Sequence, residues 1–180
     1  MKVYYAHSAQ GQFCNLLPYE HWQTLQSHAQ NIGNSAANFA QVFDAQDIAY
    51  HTGQLHDLGK YSLEFQDRLN GGSKPVDHST AGAKIAFECW GSIAIGKLMA
   101  FCIAGHHAGL ANGAGEGDNR NTLKQRLALQ FGKDIPELDS VWLQEIKLPK
   151  TLPVPPLPIP NHRRQIPHDR KPYAAADYSV

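Results

Sequence analysis

Apolar residues at helical spacing constrain the fold of this 180-residue chain more than any other sequence feature. Between residues 19 and 43, apolar side chains recur at every third or fourth position: Trp22, Leu25, Ala29, Ile32, Ala36, Phe39 and Phe43. This spacing predicts one long amphipathic helix that packs its apolar stripe against a core. The alternation of β-branched and polar residues that is typical of strands is absent nearly everywhere. We therefore predict an all-α domain, a helical bundle, over residues 1–148.

Shorter helices are predicted after the long one. The second begins near Asp44 or Asp47 and runs to Leu58, with Gly59 as its C-terminal stop. The others span residues 61–69, 78–90, 93–104 and 122–131. The Gly-rich residues 112–119 are expected to form a surface loop between the last two.

The composition changes at Pro149. Six of the 11 prolines lie in the segment PKTLPVPPLPIP, residues 149–160. Proline lacks a backbone N–H and fixes its own φ angle, so this segment predicts extended polyproline-like chain rather than helix. The remaining residues, 161–180, are polar and mildly basic. We predict a Pro-rich extension or tail over residues 149–180.

The overall composition excludes several classes of protein. Lys plus Arg and Asp plus Glu each number 16, so the net charge is zero, and the chain as a whole is not a strongly basic nucleic-acid-binding protein. No apolar run is long enough for a transmembrane helix, and the N-terminal MKVYYAHSAQ lacks the apolar segment of a signal peptide. Three widely spaced cysteines suit free thiols in a reducing compartment. We expect a cytoplasmic protein without a membrane partner.

Histidine is the unusual component, with ten copies, and the pair His56-Asp57 is the central motif. Adjacent residues near a helix end point roughly 100° apart, so a metal ion between them can take both side chains. The imidazole supplies a neutral nitrogen, and the carboxylate supplies two oxygens that can bridge two ions. Lys60, about one turn later, is placed to meet a phosphate oxygen. A structural role for this pair is the alternative.

Three further histidine motifs are candidates for the same site. His106 and His107 are adjacent and follow a helix that should be buried, and two buried imidazoles need two partners unless a metal is the partner. For His78, beside a predicted helix start, and for His7, near the N-terminus, structural or surface roles are open alternatives. The remaining histidines are expected to be solvated or partly buried rather than ligands: His21, His28, His51, His162 and His168.

The order of these motifs resembles the HD superfamily of metal-dependent phosphohydrolases. More narrowly, it resembles the HD nuclease domain of CRISPR-associated protein three, the helicase–nuclease of type I CRISPR interference. The matching strings cover roughly residues 1–148: YYAHS (4–8), LHDLGKYSLEFQDRL (55–69), VDHSTAGA (76–83) and IAGHHAGL (103–110). The last two strings carry the narrower likeness, since generic nucleotidases of the superfamily do not normally contain them.

The resemblance implies a site for two divalent metal ions. Asp57 would bridge both ions, and the histidines would divide between them: His7 and His56 on one, and His78, His106 and His107 on the other. The family has a further Asp on a late helix. Asp177, in AAADYSV, has some local likeness to it but lacks the apolar helix around it. Without that Asp, or with its helix beyond the sequence given, the first metal position is short of a carboxylate.

The resemblance also implies a function. It is metal-dependent hydrolysis of single-stranded DNA, endonucleolytic or from an end, in antiviral defence. Partners would be a helicase domain or subunit and the CRISPR surveillance complex, since no helicase motif is present. Two metals would activate water and clamp the phosphate, with Lys60 adding positive charge as a catalytic residue beside Asp57. The many imidazoles favour Mn, Fe, Co or Ni over Mg.

Two other functions remain open at the level of sequence. One is an HD-superfamily nucleotide phosphohydrolase, which a closed pocket sized for one nucleotide would favour. The other is a metal-deficient, non-catalytic HD module. Basic residues that could contact DNA do not decide between them, because solvated helix faces account for most: Lys60, Arg68, Lys74, Arg120, Lys124 and Arg126.

Overall fold

The computed structural model describes residues 2–107, 109, 111–112, 122–153 and 155. This part of the chain is largely helical, as the sequence predicts. It contains seven α-helices: α1 (Leu25–Ala40), α2 (Gln46–Leu55), α3 (Leu63–Leu69), α4 (Ser79–Trp90), α5 (Ala94–Gly105), α6 (Leu123–Ala128) and α7 (Trp142–Glu145). Three 3-10 helices lie between them, at Tyr19–His21, Gln41–Phe43 and Leu58–Tyr61. No helix within the described residues combines the length and the apolarity needed to cross a membrane.

A small antiparallel sheet corrects the all-α prediction. Strand β1 (Tyr5–His7) pairs with strand β2 (Gln23–Thr24). Helix α1 therefore begins at Leu25 rather than near residue 19, because the residues just before it are extended. The Thr24 hydroxyl accepts a hydrogen bond from the Ser27 backbone N–H at 3.3 Å and so caps the helix.

The apolar stripe predicted for residues 19–43 is only partly buried. Leu25 and Ala29 lie in the core, 1% and 3% exposed. Phe39 and Phe43, assigned to the same stripe, are 80% and 62% exposed. The predicted stripe extends through Phe43, but α1 ends at Ala40, and Phe43 belongs to the following 3-10 helix.

The segment after α2 is more broken than the sequence predicts. Helix α2 ends at Leu55, three residues before the predicted end, and Gly59 lies inside a 3-10 helix instead of stopping α2. Helix α3 begins at Leu63, where the Ser62 hydroxyl accepts from the Phe65 backbone N–H at 3.3 Å. This break places Asp57 in the short link between α2 and the 3-10 helix.

The predictions for α4 and α5 are confirmed to within one residue at each end. Helix α6 ends at Ala128 instead of residue 131, and Thr122 caps its start in a reciprocal arrangement with Gln125. Helix α7 was not predicted. Of the expected loop 112–119, only Asn112 lies within the described residues, where it is bridged to Thr122.

The core forms where α1 packs on α2 and α4 packs on α5. Its largest fully buried side chains are Tyr4, Tyr61, Leu25, Leu55, Leu58, Met99, Ile103 and Leu123. Two glycines allow the close approaches around Asp57. A side chain at Gly82 would collide with the Leu55 carbonyl, and one at Gly59 would meet the backbone of His78. Small residues at these positions let α4 and His78 press against the end of α2.

The beginning of the Pro-rich extension lies on the helical domain. The Trp90 indole donates to the Pro149 carbonyl at 3.2 Å, and Leu152 is 7% exposed within the core cluster. Residues 149–153 contain no helix. The domain boundary at residue 148 stays a prediction, and residues 156–180 lie outside the described part.

Candidate metal centre

The predicted site residues converge on Asp57, which is 4% exposed. They arrive from four places in the fold: the end of β1, the link after α2, the residue before α4 and the two residues after α5. In that order the histidines are His7, His56, His78, and His106 with His107. All of them lie beside the Asp57 carboxylate, so residues far apart in sequence meet at one point.

One oxygen of the Asp57 carboxylate, Oδ1, faces the histidines around α4 and α5. It lies 3.4 Å from His106 Nε2 and 3.5 Å from His78 Nε2. His107, which is exposed, completes a group whose ligand atoms all lie within 4.8 Å of one another. We name Asp57, His78, His106 and His107 the Oδ1 group.

The other oxygen, Oδ2, faces α1 and the 3-10 helix. It lies 2.9 Å from Lys60 Nζ and 3.1 Å from the Nε2 atoms of both His28 and His56. These two Nε2 atoms are 3.2 Å apart. His7 joins His28 and Asp57 in a second group with ligand atoms within 4.8 Å. We name His7, His28, His56 and Lys60, together with Asp57, the Oδ2 group.

Hydrogen bonds of the Nδ1 atoms orient four of these imidazoles. Each Nδ1 atom lies 2.6 to 3.3 Å from a carbonyl oxygen. The acceptors are the Gln23 side chain for His28, and the main-chain carbonyls of Gly53, Val76 and Ile103 for His56, His78 and His106. A carbonyl oxygen needs a proton on Nδ1, so in the neutral ring Nε2 carries its lone pair towards Asp57. Metal-binding histidines are held in this way.

Three buried polar atoms in the Oδ1 group make no hydrogen bond to any described residue. They are Asp57 Oδ1, His78 Nε2 and His106 Nε2. Buried polar atoms in proteins are nearly always paired, and here three electron-rich atoms face one another. A cation bound between these atoms would remove their mutual repulsion and give each of them a partner. This observation fits the group to a metal ion.

The electrostatics of the centre keep Asp57 ionised. Burial raises the pKa of its carboxyl, but hydrogen bonds from the imidazoles of His106, His28 and His56, when their Nε2 atoms carry a proton, lower it far more, so the pKa lies well below its usual range. Burial lowers the pKa of His78 to about 4, so this ring is neutral at pH 7. For His106, burial is outweighed by the Asp57 carboxylate and the Ile103 carbonyl, and the pKa is raised. Without a metal, His106 is thus the ring of the Oδ1 group that most readily holds a proton.

His28 is the site residue that sequence reasoning missed. We expected a solvated side chain, but His28 is 9% exposed and its Nε2 reaches Asp57. The spacing contains the signal that could have found it. His28 stands three residues after Leu25 and directly before Ala29, on the face of α1 that is buried.

Lys60 occupies a different position from the one expected of a residue meeting a substrate phosphate. It is 4% exposed, and its ammonium donates to the Ala6 carbonyl at 3.1 Å while it pairs with Asp57. Its immediate partner is therefore the buried carboxylate. A contact between Lys60 and a substrate oxygen stays a prediction.

Other sequence predictions near the site have clear outcomes. His21 is exposed, and His51 is partly buried with its Nδ1 bonded to the Gln54 side chain at 3.1 Å, as expected of non-ligands. All three cysteines are free thiols. The candidate Asp177 and the expected non-ligands His162 and His168 lie outside the described residues.

Sequence similarity does not assign this centre to a family. The chain matches no protein-family model, and no curated protein matches it significantly. The buried His/Asp cluster could hold a metal ion on the strength of its own donor atoms.

Proposed function

We propose that the chain is an HD-type metal-dependent nuclease that hydrolyses phosphodiester bonds of single-stranded DNA. One observation carries the chemical part of this proposal: the three buried, unpartnered atoms of the Oδ1 group, which form a ready set of nitrogen and oxygen donors. The order of the histidine motifs carries the resemblance to the nuclease of type I CRISPR interference. The same resemblance implies a helical bundle of the HD type and a role in antiviral defence. It also implies two partners, a helicase and the CRISPR surveillance complex.

The side chains suggest how the centre works. Asp57, His78, His106 and His107 would hold one divalent ion, and the Oδ2 group would hold a second. Such ions supply Lewis acidity for activating water and stabilising charge on a phosphate. The carbonyl oxygens behind the rings fix the direction of each Nε2 lone pair. Lys60 pairs with the Asp57 carboxylate and holds it in place, and the exposed His107 leaves one side of the Oδ1 group accessible to substrate.

The donor set favours transition metals over Mg. The two groups together contain six imidazoles and one carboxylate, and imidazole nitrogens suit Mn, Fe, Co and Ni better than an ion that prefers oxygen ligands. The Oδ2 group offers a second ion a weaker position, because the Lys60 ammonium already neutralises that oxygen at 2.9 Å.

A polymer is a better substrate for this site than a single nucleotide. Among the described residues, the cavity beside the Oδ1 group has a volume of about 540 Å³ and is open along one side, with His78 and His107 in its wall. A nucleotide hydrolase encloses its substrate, whereas a strand needs an open path past the metals. The open cavity therefore supports the nuclease over the nucleotide phosphohydrolase.

The test is a digestion assay combined with metal analysis. Protein loaded with Mn²⁺ or Ni²⁺ is incubated with single-stranded DNA and, separately, with nucleoside phosphates. We expect the wild type to cut DNA, Asp57→Ala to lose both metal and activity, and His21→Ala, a histidine exposed away from the site, to behave as the wild type. Hydrolysis of nucleotides without cutting of DNA would favour the phosphohydrolase. A metal-free, inactive, folded wild type would favour the non-catalytic module.

A further inference from the structure

The cavity beside the Oδ1 group contains two arginines that the proposed metal chemistry does not use. Arg126 of α6 and Arg68 of α3 both line it, together with His78 and His107. We propose that this cavity is a subsite for a backbone phosphate that flanks the bond to be cut. This inference rests on the proposed function, and it adds the reason why a polymeric substrate is recognised. We name the cavity the arginine groove.

Arg126 is held in a fixed position relative to the metal ligands. Its Nη1 donates to the Ala104 carbonyl at 2.7 Å and to the Ser79 hydroxyl at 3.2 Å. Ala104 stands two residues before His106, and Ser79 directly follows His78. The guanidinium is thereby tied to both segments that carry histidines of the Oδ1 group, and it cannot shift without moving them.

Arg68 lies on another wall of the arginine groove. It stands in the last turn of α3, is exposed, and also lines the neighbouring cavity of about 530 Å³. A guanidinium group attracts a phosphate by its charge, which persists at every physiological pH. Two arginines from different helices beside one metal group therefore suit an anionic ligand that extends away from that group.

Acidic residues limit the positively charged part of the arginine groove and of the cavity next to it. Asp77 is the carboxylate in the wall of the arginine groove, and it is engaged in capping α4. It accepts from the Thr80 hydroxyl at 2.8 Å and from the Thr80 and Ser79 backbone N–H groups at 3.0 and 3.2 Å. The neighbouring cavity is lined by two cationic residues, Arg68 and Lys74, and by three more carboxylates: Glu64, Asp67 and Asp134. The path that favours phosphate is thus short, enough for one or two groups.

This arrangement distinguishes a strand from a nucleotide. A strand whose scissile phosphate lies at the Oδ1 group has further phosphates along its backbone, and one of them would enter the arginine groove. A nucleoside monophosphate has no second phosphate to place there. The groove therefore contributes affinity for a strand that it does not contribute for a nucleoside monophosphate.

The first measurement is the affinity for a short fluorescein-labelled oligothymidylate, by fluorescence anisotropy in EDTA, where metal-dependent cutting is suppressed. We expect Arg68→Ala and Arg126→Ala each to weaken binding by about tenfold and to reduce the salt dependence by about 0.7, the loss of one phosphate contact. Lys124→Ala is the matched control, because it removes an exposed positive charge from the same helix as Arg126 without touching the groove. It should change the affinity by less than about twofold.

The second measurement separates recognition from folding. Because Arg126 also ties α6 to α4 and α5, its replacement could disturb the centre, so Arg68→Ala and the thermal melting of each variant serve as checks. With Mn²⁺, the loss of kcat/KM on the oligonucleotide should exceed the loss on bis(p-nitrophenyl) phosphate, which has no flanking phosphate, by about tenfold for each arginine.

Each outcome decides a separate question. The arginine groove is refuted when the wild type does not bind the oligonucleotide, when Lys124→Ala weakens binding as much as Arg68→Ala, or when both substrates lose activity equally. If the wild type binds through the two arginines but cuts neither substrate with any divalent ion, the groove stands and the nuclease proposal fails. If DNA is cut and the arginine variants are unaffected, the nuclease stands and the groove fails.

Discussion

The two oxygens of the Asp57 carboxylate have opposite surroundings. Oδ2 is paired with the Lys60 ammonium at 2.9 Å and has two imidazole nitrogens at 3.1 Å. Oδ1 has two imidazole nitrogens at 3.4 and 3.5 Å and no hydrogen bond from any described residue. One side of a single buried carboxylate is therefore satisfied by the protein itself, and the other side is not.

This contrast separates two ways of stabilising a buried negative charge. A fixed internal cation gives the carboxylate a partner at all times, but it competes with any ion that approaches the same oxygen. A cluster of imidazoles without a fixed cation has no such permanent partner and is completed by a metal. We therefore expect the Oδ1 group to bind a divalent ion more tightly than the Oδ2 group, although the two contain similar numbers of histidines.

The largest expected effect comes from removing, on each side, one histidine whose Nε2 atom faces Asp57. His106→Gln should lower the affinity for Mn²⁺ by more than about 100-fold, because even the residues that orient a ligand typically contribute 10- to 100-fold. His28→Gln, its counterpart on the Oδ2 side, should lower the affinity for the first ion by less than about tenfold. Isothermal titration with Mn²⁺ measures both. Equal losses would show that the two sides do not differ.

Replacing Lys60 should expose the cost of leaving Oδ2 without its cation. Lys60→Met keeps the length of the side chain and removes the charge, so the metal-free protein should lose about 3 kcal/mol of unfolding free energy, as for other broken buried pairs. Added Mn²⁺ should restore part of this loss, since an ion can now approach Oδ2. Urea unfolding with and without EDTA is the measurement, and a loss that metal does not reduce would contradict the competition between Lys60 and an ion.

The pH dependence of metal binding should follow one histidine of the Oδ1 group. The pKa of His106 is raised, so below that pKa a bound proton must leave before the ion can bind, and the affinity should fall by about tenfold per pH unit. The pKa of His78 is about 4, so this ring does not add to the slope between pH 5 and the pKa of His106, and the pKa of His107 is lowered, so this ring takes up its proton at a lower pH than His106 does. Titrations across this range that lose two or three protons per ion would overturn this assignment.

The smallest effect is expected from the two exposed histidines, one on each side. Water can take the place of an exposed ligand, so the losses are modest. His107→Ala should lower the affinity for the first ion by about tenfold, and His7→Ala by less than about threefold. The same titration, with His21→Ala as an exposed control, checks this pair. A larger effect from His7 would mean that the first ion occupies the Oδ2 group.

Parts of the fold could be predicted because their signals are local. Helices α4 and α5 are rich in apolar residues and separated by Gly91, and their bounds follow from these local features. The start of α1 could not be predicted in this way, because it depends on β2 pairing with β1 about 18 residues earlier in the chain. The exposure of Phe39 depends likewise on which face of α1 meets α2, which residues within α1 do not specify.

The same distinction between local and long-range signals applies to the residues of the site. Adjacent ligands, such as His56 with Asp57 and His106 with His107, are visible in the sequence because they stand together. His28 has no other site residue beside it in the sequence, and its burial follows from the packing of α1. The engagement of Lys60 with Asp57 takes place across the 3-10 helix at Leu58–Tyr61, whereas the prediction ended the helix at Leu58 with Gly59 as its stop.

Anomalous diffraction from crystals soaked in Mn²⁺ tests the central claim most directly, since it locates an ion relative to the two oxygens of Asp57. We predict the strongest peak at about 2.0 to 2.3 Å from Asp57 Oδ1 and from the Nε2 atoms of His78 and His106, with any second, weaker peak beside Oδ2. A strongest peak beside Oδ2, or the absence of a peak within coordination distance of Oδ1, would contradict the account.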